Sequence, residues 1–198
     1  ATIPTTAFPD ADPHDRQTSR QLFAVAQGRL VRAVEGPQGM QGLSVAPGVS
    51  DAAYAAVRPD ALQAAAVVAG RSSLVVSGLS EPTTEPVLAA IGLRRPHYAR
   101  QGELWVLDDA GALTVVGPDG ETTPVVVAGL GEGRVTALRL APDGVRVALV
   151  VEDAGAGVVG VARVTRAEGF VLVDGWREVA LSSSAVGRFE ALDVGWRS

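Results

Sequence analysis

The sequence predicts an all-β fold, a β-propeller of four-stranded antiparallel blades, on three observations. Short runs rich in Val, Leu and Ala are separated by Gly, Pro and Asp at intervals of roughly 8–12 residues, the spacing of strands and tight turns. No run holds a 3.6-residue apolar period over the roughly ten to twelve residues that a helix needs. A turn-led unit also recurs. Val57-Arg58-Pro59-Asp60 and Leu140-Ala141-Pro142-Asp143-Gly144 each precede an apolar run, and Tyr98-Ala99-Arg100-Gln101-Gly102 leads a third near their midpoint. Units of about 42 residues, each holding about four strands, match the period of propeller blades. A Greek-key sandwich with accidental spacing is the competing all-β arrangement.

Taken in order, residues 1–20 carry Pro4, Pro9 and Pro13 among scattered Asp and read as a linker or extended tail. Residues 21–50 form a partial blade and connector. Counting strands from a (innermost) to d (outermost), Leu22–Ala26 and Arg29–Val34 are expected to be c and d, followed by the uncharged, Gly- and Gln-rich stretch from Gly36 to Ser50. Residues 51–95 make the first complete blade. Its second strand is contested: Asp60 as N-cap, the helix formers of Ala61–Ala69 and Gly70 as C′ residue weigh evenly for a helix. The repeat tips it to strand. Residues 96–134 hold the next blade, with Glu103–Leu107, Leu113–Val116 and Val125–Val127. Residues 135–181 hold another, with Val145–Val151 and Val158–Thr165, and in its first turn Pro142 presets φ while Gly144 accepts a left-handed conformation. Residues 182–198 start a further blade, with Phe189–Trp196 as a lone a strand. The expected ring is therefore incomplete, with about three full blades, partial terminal blades and no b strand in the first. A fragment of a larger ring, or one piece of a nicked chain, is the expectation.

Composition narrows the chemistry. The chain has no Cys, Lys or Asn, so it lacks a Walker lysine, a Schiff-base amine, thiol catalysis, disulfides and a zinc ribbon. Its two histidines, His14 and His97, make no His-based metal site by themselves. A formal charge of −5 with 17 scattered arginines argues against a nucleic-acid partner. No stretch approaches the ~18 uncharged apolar residues of a membrane span. The N-terminus has neither a basic n-region nor an apolar core, and it lacks a Met, so it is expected to lie downstream of a removed or separate segment.

Gly155-Ala156-Gly157-Val158-Val159-Gly160 spells a dinucleotide fingerprint, but the residues after the third Gly are β-branched where a helix must open, which leaves a hairpin loop. The acidic pairs Asp108-Asp109 and Glu152-Asp153 point apart on a strand or turn and read as solvated turns. No G-x-S-x-G nucleophile elbow occurs. No cofactor is expected. Polar residues of inner strands that can face a central channel are His97, Tyr98, Arg100 and Arg139, with His97 more simply read as a hydrogen-bonded structural residue. Trp105, Trp176 and Trp196 fit anchors between blades.

Ala141-Pro142-Asp143-Gly144-Val145-Arg146-Val147-Ala148 resembles the PD40-type propeller repeat of TolB-like proteins. The longer string from Val135 to Val150 resembles the propeller of the actinobacterial LpqB lipoproteins. So do Gly102-Glu103-Leu104-Trp105-Val106, Gly28-Arg29-Leu30-Val31-Arg32 and Leu192-Asp193-Val194-Gly195-Trp196, in the same order along residues 21–198. An Arg-only, Ala/Val/Gly-rich composition suits such a source. The resemblance implies a C-terminal propeller of a protein anchored by lipid outside the cytoplasmic membrane, preceded by a lipobox cysteine and a GerMN domain that this chain does not contain. It implies a non-enzymatic interaction module whose partners are the extracellular domain of the MtrB sensor histidine kinase of the MtrAB two-component system and the remaining blades of the same protein. Membrane contact would run only through the anchor outside this chain. The resemblance carries no catalytic residues. The competing expectations are a ligand-binding or hydrolytic propeller with a site in the central channel, and a TolB-like envelope scaffold.

Overall fold

The computed structural model describes residues 22–37, 39–99, 101–153 and 155–179. The tail at 1–20, Arg100, Trp196 and the strand expected within 182–198 lie outside the described residues. Among those described the architecture is all-β. A first sheet holds β1 (Phe23–Ala26), β2 (Arg29–Gly36) and β3 (Gly39–Ser44). A second holds β4 (Tyr54–Val57), β5 (Gln63–Val68), β6 (Ser73–Gly78) and β7 (Thr84–Ala89). The third blade is β8 (Arg94–Tyr98), β9 (Leu104–Leu107), β10 (Leu113–Val116) and β11 (Thr122–Val127). The fourth is β12 (Arg134–Leu140), β13 (Arg146–Asp153), β14 (Ala156–Ala167) and β15 (Phe170–Glu178). Strands pair antiparallel within every blade, and each blade's last strand leads to the first strand of the next.

The first blade corrects the expected strand count. Leu22–Ala26 and Arg29–Val34 fall in β1 and β2, and a further strand, β3, pairs outside β2 from Val31↔Ser44 to Gly36↔Gly39. β3 is thus the d strand, and β1 and β2 occupy positions b and c. The strand expected to be missing is present. β3 escaped notice because all six of its residues, Gly39-Met40-Gln41-Gly42-Leu43-Ser44, are exposed. A strand that packs on nothing has no reason to alternate apolar and polar residues.

The contested segment is a strand, followed by a short 3-10 turn at Ala69–Arg71. Its alanines favour a helix by propensity, yet burial decides otherwise. Ala64 and Ala66 face the first blade, Ala65 and Val67 face the third, and all four are fully buried. A strand covered on both faces needs no polar side, and small residues let the neighbouring sheets approach. β9 repeats the pattern with larger residues: Leu104 and Val106 face the second blade, Trp105 and Leu107 the fourth. Burying each of these side chains contributes about 1.5–3 kcal/mol.

The repeated turns are also alike. Gly144 N–H donates to Ala141 O at 2.9 Å, and Ala61 N–H donates to Arg58 O at 2.8 Å. Asp143 Oδ1 accepts from Val145 N–H at 3.0 Å, and Asp60 Oδ1 from Leu62 N–H at 3.0 Å. The aspartate therefore closes the turn through its side chain, beyond the backbone role that Pro-Asp-Gly spacing suggests. Gly144 has φ +71°, and Ala61 adopts φ +57° at the equivalent place.

One feature departs from separate four-stranded blades. β11 and β15, the outer strands of the third and fourth blades, pair in parallel through Val125↔Val171, Val126↔Leu172 and Val127↔Val173. The two blades join into one eight-stranded sheet folded around a shared core, with β8 and β12 at its ends. Parallel pairing here satisfies two outer edges that would otherwise stand open.

Candidate functional site

The innermost strands meet at β8 and β12. His97 lies opposite Trp105 across β8 and β9, and Arg139 Nη1 sits 3.1 Å from His97 Nδ1. A guanidinium has only donors, so Nδ1 accepts and the ring keeps its proton on Nε2. The contact joins third and fourth blades at their inner ends. His97 and Arg139 are thus brought into contact with each other.

Tyr98, one residue on, alternates to the other face. It packs with Ala65, Val67, Leu74 and Leu104 between the second and third blades. Only 7% of its surface is exposed, and its hydroxyl is buried with no hydrogen-bond partner among the described residues. Burial pushes its pKa up to about 12, against the pull of the Arg58 cation, so at neutral pH the phenol keeps its proton. Tyr98 is also among the residues that line a cleft of about 240 Å³ between the second and third blades. Arg58, Gln63 and Glu85 supply its polar wall from the second blade, and Asp119 in the turn after β10 supplies it from the third. Val76, Val87, Leu104 and Val116 form its apolar floor. Arg58 is already engaged: Nε donates to Asp60 Oδ2 at 2.7 Å and Nη1 to Gln63 Oε1 at 2.9 Å. Asp119 Oδ1 accepts from Glu121 N–H at 3.1 Å.

Two charged clusters hold the blades in place. Asp109 takes the Arg71 guanidinium from the second blade, lies 3.7 Å from Arg94 Nε, and gives its carbonyl to Arg134 Nη1 of the fourth at 3.0 Å. Elsewhere on the third–fourth junction, Arg166 Nε and Nη2 grip Glu103 at 2.8 and 2.6 Å, and Nη1 donates to Gly144 O at 3.2 Å. Arg166 holds the Glu103 carboxyl below the usual carboxylate range despite partial burial.

The members of the acidic pairs are engaged apart, but not as solvated turns alone: Glu152 and Asp153 end strand β13, and Asp109 and Glu152 are ion-paired with arginines. Asp108 Oδ1 accepts from Ala112 N–H at 2.8 Å while Asp109 faces the arginines, and Glu152 pairs with Arg134. The glycine-rich string lies on the β13–β14 hairpin and runs into β14. Its third glycine has a packing reason of its own: a Cβ on Gly160 would lie 2.5 Å from Trp176 Cη2 and 2.6 Å from Arg177 O. Trp105 is fully buried in the third–fourth interface, against which Trp176 also packs.

Arg58, Gln63, Glu85 and Asp119 were not among the sequence candidates. Arg58 stood in a recognised turn, but its approach to Tyr98 depends on how two blades pack. Among the described residues no group of three His, Asp or Glu is placed to hold a metal ion.

Comparison with known proteins follows the same lines. The family described as the lipoprotein LpqB beta-propeller domain matches residues 22–198. Lipoprotein LpqB of Cutibacterium acnes is 33% identical over 134 residues, covering 67% of this chain and 22% of that protein. Lipoprotein LpqB of Streptomyces coelicolor is 34% identical over 161 residues, covering 73% of this chain and 26% of that protein. The chain therefore spans about a quarter of the length of these relatives. The crystal structure of TolB from Acinetobacter baumannii superposes with a TM-score of 0.53 at 14% identity, over 77% of this chain and 39% of that one, a likeness of fold.

Proposed function

Because the chain belongs to the lipoprotein LpqB β-propeller family, we propose that it is a non-enzymatic protein-interaction module of the cell envelope that modulates a sensor histidine kinase of the MtrAB type. The observation that carries this reading is the family match across residues 22–198. In this reading a lipid anchor outside the chain holds the module on the extracytoplasmic face of the membrane. Further blades of the same protein complete its ring, and the extracellular domain of the kinase is its partner.

The state of the polar side chains supports a binding role over a hydrolytic one. His97 Nδ1 is occupied by Arg139, so that nitrogen is not available to deprotonate a nucleophile. Asp109, Glu103 and Glu152 are neutralised by arginines, which suits cohesion between blades. The test is binding of the purified full-length protein to the kinase ectodomain by surface plasmon resonance, paired with kinase autophosphorylation in membranes. Saturable binding with altered phosphorylation is expected. No affinity for the ectodomain would overturn the partner assignment, and turnover of ester or glycoside substrates would overturn the non-enzymatic reading.

A further inference from the structure

The outer strands of the four blades differ in how their free edges are treated. β11 and β15 pair with each other, and β7 carries Glu85 and Pro86 beside a register shift between Leu74 and Val75. Charge, proline and irregular pairing are devices that keep an edge from taking up a further strand. β3 has none of them. It ends its sheet and pairs with β2 in unbroken register. Its sequence, Gly39-Met40-Gln41-Gly42-Leu43-Ser44, contains no charge and no proline. Met40 is 66% exposed and Leu43 49%.

Beside that edge lies an unpaired cation. Leu30 and Arg32 project from the same face of β2, and Leu30 is buried against Ala64 and Ala66 of the second blade. Arg32, Leu43 and Ser44 face Ala61, Leu79 and Ser80 across an open cleft of about 500 Å³. Arg58, Arg71, Arg134 and Arg166 each hold a carboxylate, whereas Arg32 has no ion pair or hydrogen bond among the described residues. Its Nε is buried without an acceptor, while Nη1 and Nη2 remain accessible. Among the described residues no carboxylate lines the cleft.

We propose that the outer edge of β3 and the Arg32 cleft form one docking surface, which takes an extended acidic segment of a protein partner as an added strand and pairs one of its carboxylates with Arg32. Main-chain hydrogen bonds to the free edge supply affinity, and the cation selects the side chain. Arg32 and Leu43 are register partners, so a residue opposite Leu43 on an added strand shares their face, about 10 Å from the Arg32 backbone. A Glu side chain there meets the guanidinium, whose paired N–H donors fit a carboxylate. A second copy of this chain fits less well, because β3 paired with β3 brings no carboxylate to Arg32. The source of the segment rests on the partner-binding reading, whereas the edge and the cation stand on their own residues.

The test is an NMR titration of the full chain with a short capped peptide of alternating Val and Thr carrying one central Glu. Saturable shifts are expected at the amides of Gly39–Ser44 and at Arg32 Nε. The same peptide with a central Gln is expected to bind roughly tenfold more weakly, the worth of one charge-assisted pair. Arg32→Gln is expected to remove that preference while leaving the Gln peptide's affinity unchanged, which also shows that the variant is folded. N-methylation of alternate residues on one edge of the peptide is expected to abolish binding, and on the other edge to spare it. No saturable shift, equal affinity for the two peptides, a preference that survives in Arg32→Gln, or indifference to N-methylation would overturn the proposal. So would the same shifts with sodium acetate alone, which would leave an anion site only, or a β3-dependent dimer without peptide, which would assign the edge to a second copy. The peptides contain no kinase sequence, so their failure leaves the partner reading intact. Loss of ectodomain binding with a normal peptide response would overturn the partner reading and leave the edge.

Discussion

The third blade is covered on both faces, and the two faces are built differently. Toward the fourth blade, Trp105, Leu107, Leu113 and Val115 meet Val147, Leu149 and Val151, all nearly or fully buried. Parallel β11–β15 pairing closes the outer edge, and Arg166 clamps Glu103 to the turn at Gly144. Toward the second blade, the same four strands meet Ala65, Val67 and Leu74, an unpaired phenol lies between them, and a cleft remains. One face is finished for cohesion, while the other leaves volume and a hydrogen bond open.

The largest expected effect comes from the closed face. Trp105→Ala removes the bulkiest fully buried side chain among the described residues and should cost about 3–5 kcal/mol in urea denaturation. A loss below 1 kcal/mol would mean that the third–fourth interface is not the principal core. Matched leucines compare the faces directly. Leu107→Ala should destabilise by about 1 kcal/mol more than Leu104→Ala, because Leu104 borders the cleft, where neighbouring side chains have room to relax. Equal losses would remove the contrast in packing.

The Glu103–Arg166 clamp should show itself in pH dependence. The folded-state pKa of Glu103 is lowered, so its stabilisation is present at neutral pH and fades as pH falls from the ordinary carboxylate range, about 4.3, through the lower folded value. Glu103→Gln should therefore cost roughly 1 kcal/mol at pH 7, and the gap to the unsubstituted chain should narrow toward pH 3. A gap that widens on acidification would contradict the assigned pair. The smallest effect belongs to the open face. Tyr98→Phe should leave stability unchanged or raise it by about 1 kcal/mol, since the hydroxyl it removes has no partner. A marked loss would show that the phenol is bonded in the folded protein.

How far the fold could be read before the structure depended on what each strand packs against. β5, β9 and β13 lie between covered faces, and their apolar runs were legible even where Ala61–Ala69 imitated a helix. β3 packs on nothing and left no pattern. The Pro-Asp turns were legible because backbone geometry restricts which residues can occupy them, although the Asp143 and Asp60 side-chain bonds were not foreseen. The joining of β11 to β15 had no local signal, because Val125–Val127 reads the same whether its outer neighbour is solvent or a parallel strand. The same limit applies to the cleft. Tyr98 stood out as a polar residue on an inner strand, but its direction follows from the pleat, and its neighbours Arg58 and Glu85 arrive from another blade.

The contrast between the two faces is tested most directly by hydrogen exchange of the full-length protein, read by mass spectrometry. The predicted result is faster exchange across 84–89, the outer strand beside the cleft, than across 122–127, the matching outer strand that β15 closes. Equal exchange in the two strands, or faster exchange across 122–127, would contradict it.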